Sequence, residues 1–324
     1  MPTSPGDAEW LAAAARLAAR GRPLSRPNPS VGCIVVQRDR VIGRGWTQPG
    51  GRPHAEAIAL AEAGDAAQNA DLFVTLEPCA HPSQRGPSCA DLIAAARPAR
   101  VIVGCEDPDP RTAGQGLARL RDAGIDAAIL PSPDAEESLA GYLTHHRAGR
   151  PHVTLKLAMS LDGCIALADG ASRWLTGPEA RAHVHARRAR SDAILVGGAT
   201  WRTDTPRLDV RLAGLEERAP ERWVLTTGEP PGGIKTIASP DEICAMGAVR
   251  YLYIEGGAQT AAAFLAADLV DRLEIYRAPI VIGDGLRAVG SFGLTDLAQA
   301  HGRWSLAEEA RLGSDHFAAY RRTR

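Results

Sequence analysis

The sequence is poor in the features that mark secreted, membrane or nucleic-acid-binding chains. Its six cysteines, Cys33, Cys79, Cys89, Cys105, Cys164 and Cys244, are too few and too unevenly spaced in 324 residues for a disulfide scaffold. No apolar run is long enough to span a bilayer. The start, Met1-Pro2-Thr3-Ser4-Pro5-Gly6-Asp7, has neither the basic n-region nor the h-region of a signal peptide. No membrane association is expected, and the cytoplasm is the expected compartment. Surplus charge is missing too: 37 Lys and Arg face 38 Asp and Glu, a formal net charge of -1. That balance gives no global attraction to nucleic acid and leaves a small charged molecule, such as a phosphate ester, as the expected partner.

What is present suits an ordinary folded chain, 45% hydrophobic and 23% charged, whose 324 residues suggest two domains. Glu9 to Arg20 spaces its apolar residues for an amphipathic helix. Val31 to Val36 and Val41 to Gly45 read as a hairpin turning at Asp39-Arg40, preceded by the rigid loop Pro27-Asn28-Pro29-Ser30. Helical stretches from His54, Ser88 and Leu117 alternate with strands at Asp71, Arg100 and Ile125, the pattern of an α/β domain that is expected to be complete by Leu130. Pro131-Ser132-Pro133-Asp134 then breaks the pattern, and a boundary is expected within 131 to 151, giving domains of 1–147 and 148–324. The second half repeats α/β logic through strands at His152, Ser191, Arg222, Arg250 and Arg272.

Chemistry concentrates in His54-Ala55-Glu56, Pro78-Cys79 and Cys89. One imidazole and two thiolates can hold tetrahedral Zn²⁺ and leave one position open to water, the mark of a catalytic rather than a structural site. Glu56, two residues beyond His54 at a helix start, can turn its carboxylate toward that water and carry a proton to departing ammonia. The chemistry is hydrolytic deamination of an amidine-like ring carbon. Cys89 opens a helix, and Cys79 after Pro78 is expected in a similar entry position, where free N–H groups favour thiolates. The gap between the two cysteines exceeds the Pro-Cys-x-x-Cys spacing of other zinc deaminases and marks a subgroup.

Taken together, Pro27-Asn28-Pro29-Ser30-Val31-Gly32-Cys33, His54-Ala55-Glu56 and Thr75-Leu76-Glu77-Pro78-Cys79-Ala80-His81 resemble the RibD family of bifunctional riboflavin-biosynthesis deaminase/reductases. The resemblance continues in Lys156-Leu157-Ala158-Met159-Ser160-Leu161-Asp162-Gly163, Gly170 to Gly177, Ser191 to Gly197, Asp204-Thr205-Pro206 and Glu255-Gly256-Gly257-Ala258, in the family's order. It implies an N-terminal cytidine-deaminase-like α/β/α domain and a C-terminal dihydrofolate-reductase-like α/β domain. The implied reactions are deamination of 2,5-diamino-6-(5-phosphoribosylamino)pyrimidin-4(3H)-one to 5-amino-6-(5-phosphoribosylamino)uracil, then NADPH-dependent reduction of the ribosyl side chain to ribityl.

The resemblance also implies residue roles. His54, Cys79 and Cys89 bind zinc, Glu56 is the acid/base, and Asn28 and Arg85 meet the deaminase substrate. Ala158, Trp174, Thr200, Asp204 and Gly257 lie at the dinucleotide, and Ser172, Arg188, Leu208, Arg211 and Glu255 at the reductase substrate. A homo-oligomer, a dimer through the reductase domain, is expected. Three features depart from the family: Cys164 stands where arginine or lysine is usual, Thr226-Thr227-Gly228 where an aspartate is common, and a short stretch separates Leu225 from Arg250. They imply a shortened reductase with altered cofactor binding. Two other readings remain open. One is a specialised-pathway pyrimidine or pteridine-like deaminase with a weak or non-catalytic second domain, and the other a zinc-stabilised interaction protein.

Overall fold

The computed structural model describes residues 5–81, 86–229 and 232–324, and the chain forms two compact units, Met1–Gly149 and Arg150–Arg324. In the first unit α1 (Pro5–Ala18) precedes the hairpin β1 (Gly32–Gln37) and β2 (Arg40–Trp46). There follow α2 (Ala55–Ala63), β3 (Asp71–Val74), α3 (Cys89–Ala96), β4 (Arg100–Val103), α4 (Gln115–Asp122), β5 (Asp126–Ile129), α5 (Pro133–Ser138) and α6 (Ala140–Ala148). Among the described residues the strands lie in the order β2-β1-β3-β4-β5, antiparallel from β2 to β3 and parallel from β3 to β5.

Helices cover both faces, so the central strands are apolar except at their ends, where Gln37, Asp71 and Arg100 stand. Cys33, Val35, Leu72, Val74, Val101 and Val103 share one core with Ala59, Ile93 and Leu120 of α2, α3 and α4. Ile34, Val36, Phe73 and Ile102 meet Leu11 and Ala14 of α1 on the other side. The hairpin turns at Arg38-Asp39, both at positive φ, one residue earlier than the sequence suggested. Gly43 and Gly45 of β2 let α2 press against the strand, since a Cβ on either would fall 2.1 Å from a carbonyl oxygen of α2. That close contact sets the entry of α2, which carries His54 and Glu56.

The run Pro131 to Asp134 begins a helix rather than breaking the pattern. Ser132 Oγ accepts the Ala135 N–H at 3.3 Å, and Pro133 fills the first turn, where its missing donor costs nothing. Leu139, Tyr142 and Leu143 then join the first core, so the unit closes only after these helices and not at Leu130.

The second unit contains β6 (His152–Met159), β7 (Cys164–Leu167), α7 (Pro178–Arg188), β8 (Ala193–Gly197), α8 (Gly198–Asp204), β9 (Glu221–Leu225) and β10 (Lys235–Ile237). It continues through β11 (Tyr251–Ile254), α9 (Ala258–Ala266), β12 (Arg272–Arg277), β13 (Gly285–Arg287), β14 (Trp304–Leu312) and β15 (Asp315–Arg322). Among the described residues the main sheet runs β10-β9-β8-β11-β6-β12-β15-β14, with β13 and β7 paired separately. It is parallel from β10 to β12, and its last two strands are antiparallel. The carboxyl ends of β6, β8 and β11 therefore point the same way, where open α/β sheets place ligands. No helix among the described residues is long and apolar enough to cross a membrane.

Candidate active sites

In the first unit the fold brings His54, Cys79 and Cys89 together, with their ligand atoms all within 4.8 Å of one another. His54 is the N-cap of α2, in extended backbone that releases its ring from the helix. Cys89 is the first residue of α3, capped by Ser88, whose Oγ accepts the Asp91 N–H at 3.2 Å. Cys79 lies in irregular chain after β3 and does not open a helix, contrary to the expected entry position. It reaches a helix end in another way: the Cys89 N–H donates to its sulfur at 3.4 Å and the Ala90 N–H to its carbonyl at 3.1 Å. Two otherwise orphaned donors of α3 thereby clasp one residue.

The distances suit a tetrahedral ion. His54 Nδ1 is 3.2 Å from Cys89 Sγ and 3.7 Å from Cys79 Sγ. Zinc–sulfur and zinc–nitrogen bonds of about 2.3 and 2.0 Å give tetrahedron edges of roughly 3.6 Å. The thiol hydrogen bond from Cys89, with help from His54, holds the Cys79 thiol down at about 4 against the effect of burial. The same bond and burial push Cys89 up, and the bond to Cys79 raises His54. Without a metal the three groups share protons, and a cation would take their place. Glu56 is buried beside them; burial raises its pKa, His54 opposes the rise and Cys79 adds to it. A carboxyl so placed can hold a proton nearer neutrality than an exposed one.

Asn28 donates from Nδ2 to the Gly51 carbonyl at 3.2 Å and so tethers its loop to the one before His54. Arg85 lies outside the described residues.

In the second unit a cleft of about 820 Å³ opens at the carboxyl ends of β6, β8 and β11. It is lined by Ala158, Ser172, Trp174, Arg188, Thr200, Asp204, Leu208, Arg211 and Glu255, nearly all the residues expected there. Gly257 is not in the lining, but it caps α9, and a Cβ on it would lie 3.4 Å from Thr200 Oγ1. Trp174 is 68% exposed, with the Arg181 guanidinium 4.9 Å from its ring centre. Arg188 is held by three bonds: Nε and Nη2 donate to the two Glu255 oxygens at 2.6 and 3.0 Å, and Nη1 to the Asp209 carbonyl at 2.9 Å. Lys156, which sequence reasoning left without a role, stands 3.6 Å from Glu255 Oε2. Burial works to raise the Glu255 pKa, but Arg188 and Lys156 outweigh it and hold the carboxyl at about 2. Arg211 sits 3.1 Å from Asp209 and is half exposed.

Family comparisons cover both units. The cytidine and deoxycytidylate deaminase zinc-binding region matches residues 5–105, and the RibD C-terminal domain matches residues 151–231 and 242–316. Riboflavin biosynthesis protein RibD of Escherichia coli K12 is 37% identical over 359 aligned positions, covering 95% of this chain and 97% of the relative. The chain belongs to the RibD family. RibD of Haemophilus influenzae is also 37% identical, with 95% of each chain covered. The solved RibD of Acinetobacter baumannii matches at a TM-score of 0.84 and 34% identity, over 98% of this chain and 99% of that one. A Thermotoga maritima diaminohydroxyphosphoribosylaminopyrimidine deaminase/5-amino-6-(5-phosphoribosylamino)uracil reductase matches at 0.83 and 27%, with the same coverage. The architecture is thus that of RibD, a deaminase-like unit followed by a reductase-like α/β unit. The alignment with E. coli RibD is longer than the 324 residues here, so that relative carries residues this chain lacks. In the structure only β10 and a short 3-10 turn, Pro240–Ala245, form regular elements between β9 and β11 among the described residues.

The structure also supplies residues to which the sequence reading gave no role. Glu77, buried within the RibD-like run around Cys79, accepts the N–H groups of Gly114 at 3.0 Å, Leu117 at 3.1 Å and Asp107 at 3.5 Å. Two of these partners, Gly114 and Leu117, begin α4, which presses so closely that a Cβ on Gly116 would fall 2.1 Å from the Pro78 carbonyl. Asp107 accepts the Tyr142 hydroxyl at 2.7 Å and the Asp109 N–H at 3.0 Å, while Thr112 Oγ1 lies 3.4 Å from His81 Nδ1. A common run flagged Glu77; nothing local in the sequence joined Asp107 to Tyr142.

Proposed function

We propose that the chain is a two-step riboflavin-pathway enzyme. Its first unit deaminates 2,5-diamino-6-(5-phosphoribosylamino)pyrimidin-4(3H)-one to 5-amino-6-(5-phosphoribosylamino)uracil, and its second reduces the ribosyl side chain to ribityl with NADPH. The observation that carries the reading is the convergence of one imidazole and two thiols beside a buried carboxyl, in a chain of the RibD family.

His54, Cys79 and Cys89 are the residues that would hold zinc, and the chemistry that such an ion supplies is activation of water at a pKa of ~7. Glu56 takes a proton from water on a carboxylate oxygen and returns it to the amine that leaves. Water and the aminopyrimidine thus become the carbonyl product and ammonia. Asn28, held by Gly51, orients the ring through its remaining amide acceptor.

In the second unit Ala158, Trp174, Thr200 and Asp204 border the dinucleotide, and the N-terminus of α9 at Gly257 offers N–H groups to its phosphates. When bound, NADPH supplies a hydride for the open-chain sugar carbonyl. Ser172, Leu208 and Glu255 border the substrate, and Arg211 takes its phosphate. Arg188, whose Nε and Nη2 face the Glu255 carboxylate, holds Glu255 in place. The unit acts in a homodimer.

The short stretch between β9 and β11 favours a second reading, a deaminase whose second unit reduces weakly or not at all. An ordered assay separates the two. Zinc-loaded protein and the phosphorylated diaminopyrimidine should release ammonia, and NADPH added afterwards should be consumed with formation of the ribityl product. Ammonia without NADPH consumption leaves the second reading, and no ammonia removes both.

A further inference from the structure

The loop before α2 carries a cation that the deamination chemistry does not use. Arg52 stands two residues ahead of His54, and its Nε is buried with no hydrogen-bond partner among the described residues. No ion pair joins it to a carboxylate among them either. Its Nη1 end lies 4.0 Å from the point that a Cβ would occupy on Gly86, three residues before Cys89. The guanidinium therefore reaches from the segment that carries one metal-ligating residue to the segment that carries another. Its charge opposes protonation of His54, as a neighbour of the centre would.

The surroundings tie this cation to the place where the pyrimidine ring is read. Gly50 N–H donates to the Leu24 carbonyl at 2.8 Å, and Asn28 Nδ2 to the Gly51 carbonyl at 3.2 Å. Gly51 has positive φ, and a Cβ on it would lie 2.5 Å from the Asn28 amide, so the two loops meet without slack. Asn28, Arg52 and His54 thus belong to one rigid corner. A half-buried guanidinium that makes no hydrogen bond among the described residues is matched by an anion with two acceptor oxygens, which a phosphate monoester supplies and a neutral ring does not.

We propose that Arg52 recognises the 5-phosphate of the first unit's substrate and makes that unit select the phosphorylated pyrimidine over its dephosphorylated form. The proposal rests on the deaminase reading of the same site and gives the phosphate a partner other than Arg85, to which the family resemblance pointed.

The test uses the full chain loaded with Co²⁺ in place of zinc, so that the visible spectrum reports ligands at the first unit alone. The phosphorylated uracil product and its dephosphorylated form are titrated into wild type, Arg52→Gln, Arg52→Lys and Arg85→Gln, and ammonia release is followed in parallel. Wild type should prefer the phosphorylated ligand by about tenfold or more, the effect of a charge-assisted pair. In Arg52→Gln that ratio should fall toward one, with partial recovery in Arg52→Lys. A ratio unchanged in Arg52→Gln, or lost only in Arg85→Gln, overturns the proposal, as does equal weakening of both ligands. Spectral discrimination without ammonia release would retain Arg52 as a phosphate contact and remove the deaminase reading.

Discussion

Replacing Glu77 by glutamine keeps the side chain's shape and turns one acceptor oxygen into a donor. In the structure that carboxylate is buried and meets only backbone donors in these contacts, two of them, Gly114 and Leu117, at the start of α4. The amide can satisfy one of these N–H groups, and its NH₂ then faces another. An unsatisfied buried donor costs about 1–3 kcal/mol, and loss of a charge beside a helix N-terminus adds about 1 kcal/mol. A local loss of roughly 3 kcal/mol follows, which corresponds to faster opening by about a hundredfold. Because Glu77 precedes Pro78 and Cys79, the same loosening should speed zinc loss. Amide hydrogen exchange at Gly114 and Leu117 measures the first effect, and zinc transfer to a chelator the second. Exchange and zinc release both equal to wild type would refute the idea that Glu77 anchors the ligand loop.

The remaining predictions concern the second unit. Burial acts to raise the pKa of Asp271, but its paired bonds from Arg150 at 2.7 and 2.9 Å prevail and hold it at about 2, below the ordinary aspartate value of 3.8. A depressed carboxyl stabilises the fold above its unfolded pKa and loses that effect as pH falls through the folded one. Asp271→Asn should therefore be less stable than wild type by about 2 kcal/mol at neutral pH, with the gap closing between about pH 4 and pH 2 in denaturant unfolding. Glu255→Gln leaves Arg188 and Lys156 without their shared anion. It should abolish NADPH consumption and lower the melting temperature of the second unit, while ammonia release persists; simultaneous loss of both activities would contradict the assignment of Glu255 to reduction alone.

Much of the fold was legible because its central strands are buried on both faces. Val31 to Val36 and Arg100 to Gly104 stood out as apolar runs for that reason, and the residues of the metal centre stood out by type and order. Contacts formed only in three dimensions did not. Leu306-Ala307-Glu308-Glu309-Ala310-Arg311-Leu312 consists largely of helix formers, yet it pairs with β15 as strand β14 because Phe317, Ala318 and Ala319 bring their sheet to it. Ser132-Pro133 serves equally as loop punctuation and as a helix start, and only the Ala135 N–H decides between them. The pairing of Arg188 with Glu255 was hidden because the two are 67 positions apart in sequence. Cys79 reached a helix terminus across a gap rather than along its own chain, which spacing could not reveal.

The central claim is that His54, Cys79 and Cys89 hold a zinc ion for which Glu56 moves the proton. Zinc content and ammonia release from the phosphorylated diaminopyrimidine, measured on the same samples of wild type and Glu56→Gln, decide it. The account predicts about one zinc per chain in both, with ammonia release falling by about 10² to 10⁴ in the variant. Equal ammonia release from the two proteins at equal zinc content would contradict it.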